Sequence, residues 1–167
     1  YQLIIKEGKN HNLSHCGSHA MDTMRMESGF LHWGHDISPE ENQYEAGLNF
    51  AISYKKETNF IGKESLLKIK NKAQNRRFIM LSLTDNTPGA PLLLHEEPIY
   101  LKEKIIGRTT SGNYSFNYKK NLSFGYVKSE HTNEELTKMD LYIEVAKKKY
   151  PVIVELTSLK DKQAKFL

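Results

Sequence analysis

An acidic residue on a predicted helical face is the first candidate for chemistry in this sequence. Ser18 is placed to cap a helix. The apolar stripe of that helix comprises Ala20, Met21, Met24 and Leu31. Glu27 lies on the same stripe, so we expect its carboxylate to face inward. Because burial of an unpartnered charge is costly, this carboxylate needs an internal cation, with Arg25 or Lys56 as candidates, or a set of donors or a ligand.

Histidines recur at a spacing that suits metal binding. The set with a four-residue spacing comprises His11, His15 and His19. One continuous helix would present these three imidazoles to a single metal ion. Gly17 interrupts the set, so we expect no helix to span it. His32 and His35 are interpreted as polar loop residues, and we predict no metal site.

Motifs for nucleophilic or nucleotide chemistry do not occur in the sequence. Serine and histidine residues are scattered, without a nucleophile-elbow motif. Gly107, Gly112 and Gly125 are spaced through strand-like sequence, which is not the strand-to-helix turn of a dinucleotide fingerprint or a P-loop. We therefore assign no catalytic acid, base or nucleophile to these residues.

Composition and charge favour a soluble globular protein that binds a small molecule. The formal net charge is +4 and the pI is about 9.0, but lysines and arginines are interleaved with acids. This pattern is typical of a solvated surface, so we expect no nucleic-acid partner. No signal stretch or apolar run of membrane-spanning length occurs, so we expect no membrane partner. Cys16 is the single cysteine, which favours a reducing compartment: the cytoplasm or, in a eukaryote, the mitochondrial matrix.

Hydrophobic periodicity predicts helices and one strand in the first part of the chain. The chain opens in a helix that we expect to end at Gly8, where glycine can take the left-handed conformation. A second helix follows from Ser18. Residues 48–54 alternate as a strand would, and residues 61–69 return to helical spacing.

From Arg76 onward the pattern changes to short strands without helices. The predicted strands are residues 78–83, 98–101, 105–110, 122–127, 141–145 and 152–156. Such a series indicates a small antiparallel barrel or sandwich. We place a boundary near residues 71–75, which gives one domain of residues 1–75 and a second of residues 76–167.

Six blocks of sequence carry a family resemblance. They are residues 21–29 (MDTMRMESG), 33–36 (WGHD), 44–48 (YEAGL), 59–66 (NFIGKESL), 106–115 (IGRTTSGNYS) and 122–127 (LSFGYV). In this order the blocks resemble the glycine-cleavage T-protein superfamily over nearly the whole chain. The aromatic-rich run of residues 109–116 and the Trp33-Gly34 pair resemble dimethylglycine and sarcosine dehydrogenases more than free-standing T-proteins.

The resemblance implies an α+β fold within a larger protein. We expect the end of a ferredoxin-like α/β folate-binding domain, followed by a small antiparallel β-barrel. Dehydrogenases of this kind place an FAD domain before the folate domain. We therefore expect sequence before Tyr1 to hold the FAD and the family's catalytic aspartate, and we expect the isolated fragment to be inactive.

The resemblance also implies a tetrahydrofolate site. A reduced pterin presents a ring N–H beside an amine, and a carboxylate can accept both. Glu27 matches the family residue with that role, while Arg25 braces the helix or the loop below it. Trp33 and Phe50 match positions that wall the pterin, with core packing as the alternative for each. Lys56 matches a basic position near the glutamate tail of the cofactor.

Three functions are compatible with this resemblance. The first is the tetrahydrofolate-binding portion of an enzyme that oxidises dimethylglycine or sarcosine with a flavin and captures the one-carbon unit as 5,10-methylenetetrahydrofolate. The second is an aminomethyltransferase of the glycine cleavage system, which is served by a lipoyl carrier protein. The third is a non-catalytic regulatory or scaffold protein that keeps the T-protein fold.

Overall fold

A computed structural model of the chain describes residues 1–128, 130–156 and 158–159. Its helices are α1 Gln2–Gly8, α2 Ser18–Glu27, α3 Lys63–Ile69 and α4 Asn133–Leu136. Its strands are β1 Arg76–Leu83, β2 Pro98–Leu101, β3 Lys104–Ser115, β4 Lys120–Lys128, β5 Leu141–Val145 and β6 Lys148–Glu155. None of the helices in the described residues is long and apolar enough to cross a membrane.

The strands close into an antiparallel barrel in the order β1-β4-β3-β2-β5-β6. Closure pairs every strand on both sides, which removes the exposed edges that open sheets carry. The predicted α+β class with a small antiparallel barrel is confirmed. The predicted second domain, residues 76–167, extends to residues 160–167, which lie outside the described part of the chain.

Strand β1 is buried on both faces, which explains its nearly continuous apolar sequence. Ile79 and Leu81 point into the barrel interior, where they join one apolar cluster. Phe78 and Met80 point outward and join a second cluster that includes Met26 of α2. The outer face of the barrel therefore serves as the surface on which α2 packs.

The predicted apolar stripe of α2 is wrong in its direction. Met21 and Met24 are exposed, while Thr23, Met26 and Glu27 are the buried positions of the helix. The barrel presents both apolar side chains and hydrogen-bonding groups to α2, so the buried face is mixed in polarity. Glu27 is nevertheless buried, as predicted.

Three local predictions in the first part of the chain also need correction. Gly8 is right-handed, and Asn12 takes the left-handed conformation with φ of 56°. Gly17, not Ser18, occupies the N-cap of α2, without a side-chain hydrogen bond. Residues 48–54, predicted as a strand, contain a short 3-10 turn at Asn49–Ala51, because no described strand lies alongside to pair with them.

Candidate functional site

The Glu27 carboxylate lies at the junction between the end of α2 and the end of β3, and the residue is only 3% exposed. Oε1 accepts a hydrogen bond of 2.6 Å from the Ser115 hydroxyl. Oε2 accepts one of 2.8 Å from the Asn117 side-chain amide. No lysine or arginine of the described residues forms an ion pair with Glu27. The carboxylate is therefore held by two neutral donors.

Glu27 keeps unused acceptor capacity. Each oxygen of an ionised carboxylate has about two lone-pair directions, and each oxygen here accepts one bond from the described residues. Ser115 is fully buried and also accepts the N–H of Tyr118 at 3.1 Å, so its hydroxyl is fixed in direction. The arrangement can accept two further donors that lie side by side, such as a ring N–H next to an amine on the same ring.

Arg25, a candidate cation for Glu27, is bound to other acids. Its Nε donates to Asp22 at 2.8 Å, within α2, and its Nη1 donates to Asp36 at 2.7 Å. Nη1 also donates to the carbonyl of Phe30 at 3.3 Å. Arg25 thus ties α2 to the turn that follows it, in agreement with its predicted bracing role.

Asp36 is the acceptor that joins this turn to the barrel. Its Oδ1 accepts hydroxyl donors from Thr110 at 2.6 Å and Ser111 at 2.7 Å. Its Oδ2 accepts the N–H of His32 at 2.8 Å, in addition to Arg25. Four donors thus hold a buried carboxylate, and together they fix the orientation of α2 on the barrel.

A β-bulge makes the double contact to Asp36 possible. Successive side chains of a regular strand point to opposite faces, but the register of β3 shifts between Thr109 and Ser111. Thr110 and Ser111 therefore both reach the same carboxylate oxygen. The hydroxyl of Tyr126 donates to the backbone carbonyl of Asp36 at 2.9 Å, and burial raises the pKa of Tyr126 above its ordinary value.

A pocket of about 560 Å³ opens beside Glu27. Its lining comprises His19, Ala20, Thr23, Met24, Leu92, Leu93, Leu94, Gly112, Asn113, Phe116 and Asn117. Thr23 precedes Glu27 by one helical turn, and Asn117 is the amide that binds Glu27. Glu27 itself does not line the pocket, whereas Asn117, which donates to its carboxylate, does.

None of the other predicted site residues lines the pocket beside Glu27. Phe50 is exposed and lines a second pocket of about 320 Å³ near Phe78. Lys56 lines a third pocket of about 410 Å³. Trp33 is exposed on the turn after α2 and lines none of these three pockets. The assignments of Trp33, Phe50 and Lys56 stay predictions.

Sequence reasoning missed both partners of Glu27. Ser115 lies 88 residues and Asn117 lies 90 residues further along the chain. Ser115 ends the block that resembles the family barrel, which was the available signal. Asn117 stands in the turn between β3 and β4, and no spacing rule connects it to a helix so far away.

Histidines in the described residues do not form a metal centre. No group of three or more His, Cys, Asp and Glu side chains there could hold a metal ion. His11 lies in a 3-10 turn and His19 lies on α2, so they do not share one helix. His32 and His35 stack with ring centroids 4.6 Å apart on the surface turn.

Comparison with protein families matches both parts of the chain. Residues 1–56 match the GCVT N-terminal domain. Residues 76–161 match the glycine cleavage T-protein C-terminal barrel domain, which is about half of the chain. The second match covers the six barrel strands described above.

Individual proteins of known name also match most of this chain in sequence. The mitochondrial dimethylglycine dehydrogenase of Rattus norvegicus is 33% identical over 155 residues, which are 92% of this chain and 17% of that protein. The aminomethyltransferase of Symbiobacterium thermophilum is 32% identical over 132 residues, which are 79% of this chain and 34% of that protein. Both relatives are enzymes by name.

A solved structure shares the fold. The glycine cleavage system aminomethyltransferase T from Bartonella henselae superposes with a TM-score of 0.80 at 21% sequence identity, covering 99% of this chain and 45% of that one. This chain therefore spans less than half the length of each of these proteins. The two domain matches, the relatives and the barrel agree, and the chain belongs to the glycine cleavage T-protein family.

Proposed function

We propose that this chain is the tetrahydrofolate-binding portion of an enzyme that demethylates dimethylglycine or sarcosine. Membership of the T-protein family supports the folate ligand. The rat dimethylglycine dehydrogenase matches 155 residues of the chain, and the bacterial aminomethyltransferase matches 132, which supports the demethylating branch. The cytoplasm or, in a eukaryote, the mitochondrial matrix is the proposed location.

The observation that carries the proposal is a buried carboxylate bound by two neutral donors. A structural carboxylate at 3% exposure is ordinarily paired with a cation, but the described partners of Glu27 are Ser115 and Asn117. Its unused lone pairs match the ring N–H and amine of a reduced pterin. The adjacent pocket of about 560 Å³ lies within the usual range for ligand sites. The acceptor oxygens of Glu27 and the volume of the adjacent pocket therefore fit tetrahydrofolate.

In this proposal the residues of this chain bind and orient their ligand. When bound, tetrahydrofolate supplies the amines that capture the one-carbon unit released by flavin oxidation of the methylated amine, which gives 5,10-methylenetetrahydrofolate. Glu27 fixes the pterin edge, and Arg25 with Asp36 holds α2 against the barrel. Such positioning makes capture effectively intramolecular. No catalytic acid or base is assigned to the chain, and in this proposal FAD would bind outside the residues of this chain.

The other predicted ligand contacts do not line the pocket of about 560 Å³. Lys56 is an exposed cation in the wall of its own pocket, which suits the carboxylates of the glutamate tail. Trp33 and Phe50 are exposed aromatic side chains available for stacking. We propose these three residues as secondary contacts, each to be tested by alanine substitution.

Calorimetric titration with tetrahydrofolate, under anaerobic conditions and on the full gene product, tests the proposal. Glu27→Gln keeps the shape of the side chain but removes one acceptor and the charge. We expect it to weaken binding about 10-fold to 100-fold, the range for a hydrogen bond to a charged group. Glu64→Gln, an exposed carboxylate on α3, is the matched control and should bind like wild type. Unchanged binding by Glu27→Gln would remove Glu27 from the site.

Aminomethyl transfer is the second candidate. The aminomethyltransferase relative is 32% identical over 79% of the chain, close to the value for the dehydrogenase. Assays of the full gene product separate the two. Oxidation of dimethylglycine with a dye as electron acceptor supports the first, and release of ammonia from an aminomethylated lipoyl carrier protein supports the second. Absence of tetrahydrofolate binding would instead favour a regulatory or scaffold protein.

A further inference from the structure

We propose that Asn117 is an exchangeable cap on Glu27, which closes the ligand site in the free protein and is displaced when the ligand binds. The cap accounts for a carboxylate that borders a pocket without opening into it. This inference rests on the proposed function, because it names the residue that controls access to the same site.

The two donors to Glu27 differ in their freedom to move. Ser115 is fully buried at the end of β3, and its hydroxyl bonds to both Glu27 and the N–H of Tyr118. Asn117 is exposed in the turn of residues 116–119. Within the described residues its side chain makes one hydrogen bond, to Oε2 of Glu27. Ser115 is therefore a fixed anchor, and Asn117 is the donor that can leave.

Asn117 is positioned so that its rotation would open a path from the pocket to Glu27. Asn117 lines the pocket of about 560 Å³ that Thr23 of α2 also lines. Glu27 follows Thr23 by one helical turn, and its carboxylate accepts the Asn117 amide that lines the pocket. Rotation of this one exposed side chain would connect Oε2 with the pocket, and no strand or helix needs to move.

The amide of Asn117 and the amine of a pterin are chemically similar donors to Glu27. An Asn side chain and the amine of a pterin are both neutral N–H donors to a carboxylate oxygen. Exchange of the Asn117 amide for the pterin amine keeps one donor on Oε2, while the ring N–H of the pterin adds a bond to an unused lone pair of Glu27. The released amide is solvated because Asn117 is exposed. A ligand without an N–H donor at that edge cannot replace the cap. Asn117 is in this way a specificity-determining residue.

The cap lowers the apparent affinity by a predictable factor. When a site is open for only a fraction of the time, the apparent Kd equals the intrinsic Kd divided by that fraction. A hydrogen bond to a charged group would favour the closed cap over the open one by about 10-fold to 100-fold. Removal of the amide should therefore tighten ligand binding by about 10-fold to 100-fold.

The experiment is calorimetry of tetrahydrofolate with the full gene product and three variants: Asn117→Ala, Asn113→Ala and Glu27→Gln. Asn113 lines the same pocket and donates to the backbone carbonyl of His19 at 3.3 Å, so its truncation controls for any general effect on the pocket. We expect Asn117→Ala to bind about 10-fold to 100-fold tighter than wild type and Asn113→Ala not to bind tighter. Circular dichroism checks that each variant is folded.

The outcomes distinguish failure of the cap from failure of the proposed function. If wild type binds, Glu27→Gln weakens binding and Asn117→Ala fails to tighten it, the cap is overturned and the folate site stands. If Asn113→Ala tightens binding as much as Asn117→Ala, the effect belongs to the pocket and the cap is again overturned. If neither wild type nor Asn117→Ala binds, the proposed function and the cap both fail.

Discussion

Replacement of Asp36 by asparagine should destabilise the protein strongly while barely changing its shape. The Asp36 side chain is fully buried and accepts four hydrogen bonds, two on each oxygen. In the Asp36→Asn variant one of these oxygens becomes an amide nitrogen that faces two donors. If the amide turns toward Thr110 and Ser111, their hydroxyls can rotate and accept, but Arg25 then faces a neutral oxygen.

The magnitude follows from the burial of the pair. Removal of one partner from a buried ion pair costs about 3–5 kcal/mol, since the remaining charge is left uncompensated. The Arg25 side chain is 15% exposed and keeps its bond to Asp22, so part of that cost is avoided. We therefore expect Asp36→Asn to lower the free energy of unfolding by about 3 kcal/mol, the lower end of this range.

Urea denaturation followed by circular dichroism measures this loss. The matched control is Glu103→Gln, because the Glu103 side chain is 93% exposed and pairs with Lys149 at 2.8 Å. A surface pair of this kind contributes about 0–1 kcal/mol. If Asp36→Asn costs no more than Glu103→Gln, the claim that Asp36 holds α2 to the barrel is refuted.

Three further predictions concern the barrel and the loops. Gly107→Ala should destabilise the protein by several kcal/mol, because its Cβ would lie 2.0 Å from the backbone oxygen of Tyr126, whereas Gly17→Ala meets nothing within 4 Å and should be tolerated in thermal unfolding. Tyr126→Phe should lower the free energy of unfolding by about 1 kcal/mol in urea titrations, since it removes the donor to the Asp36 carbonyl. Burial, together with the bond to Tyr54, raises the pKa of Tyr44 from 10.0 to about 12. Neutral Tyr44 therefore contributes stability below pH 10 that is lost as the pH rises toward about 12. Ultraviolet titration should show one late-ionising tyrosine fewer in Tyr44→Phe than in wild type, with Tyr126 ionising late in both.

The barrel strands could be predicted from the sequence because strand pairing and side-chain burial favour the same residues there. Predicted strands at residues 98–101 and 141–145 coincide with β2 and β5. The alternation at residues 48–54 was misleading, since the same pattern without a neighbouring strand gives only the turn at Asn49–Ala51. A strand requires a partner, and a local pattern cannot supply one.

The first part of the chain was harder to predict because α2 buries a mixed face. Helical periodicity pointed to Met21 and Met24, which are exposed, while Thr23 is buried and donates to the carbonyl of Tyr114 at 3.2 Å. A pattern based on hydrophobicity cannot identify a polar residue that finds its partner on a distant strand. The family resemblance predicts a ligand-binding role for Glu27, which stays a prediction, and it gave no signal for the partners Ser115 and Asn117, since donors in a hairpin turn carry no characteristic spacing.

The burial of Glu27 is imposed by the residues on either side of it along α2. Met26 is 1% exposed and packs with Phe78 and Phe124 on the outer face of the barrel. Arg25 is held by Asp36, so α2 can neither roll nor slide without loss of one of these contacts. Glu27 therefore reaches the β3 hairpin because its neighbours fix the helix. In the proposed site, a carboxylate whose rotamer is set before ligand arrives would lose little conformational freedom on binding, and this preorganisation would favour a rigid two-donor ligand such as a pterin over a flexible amine.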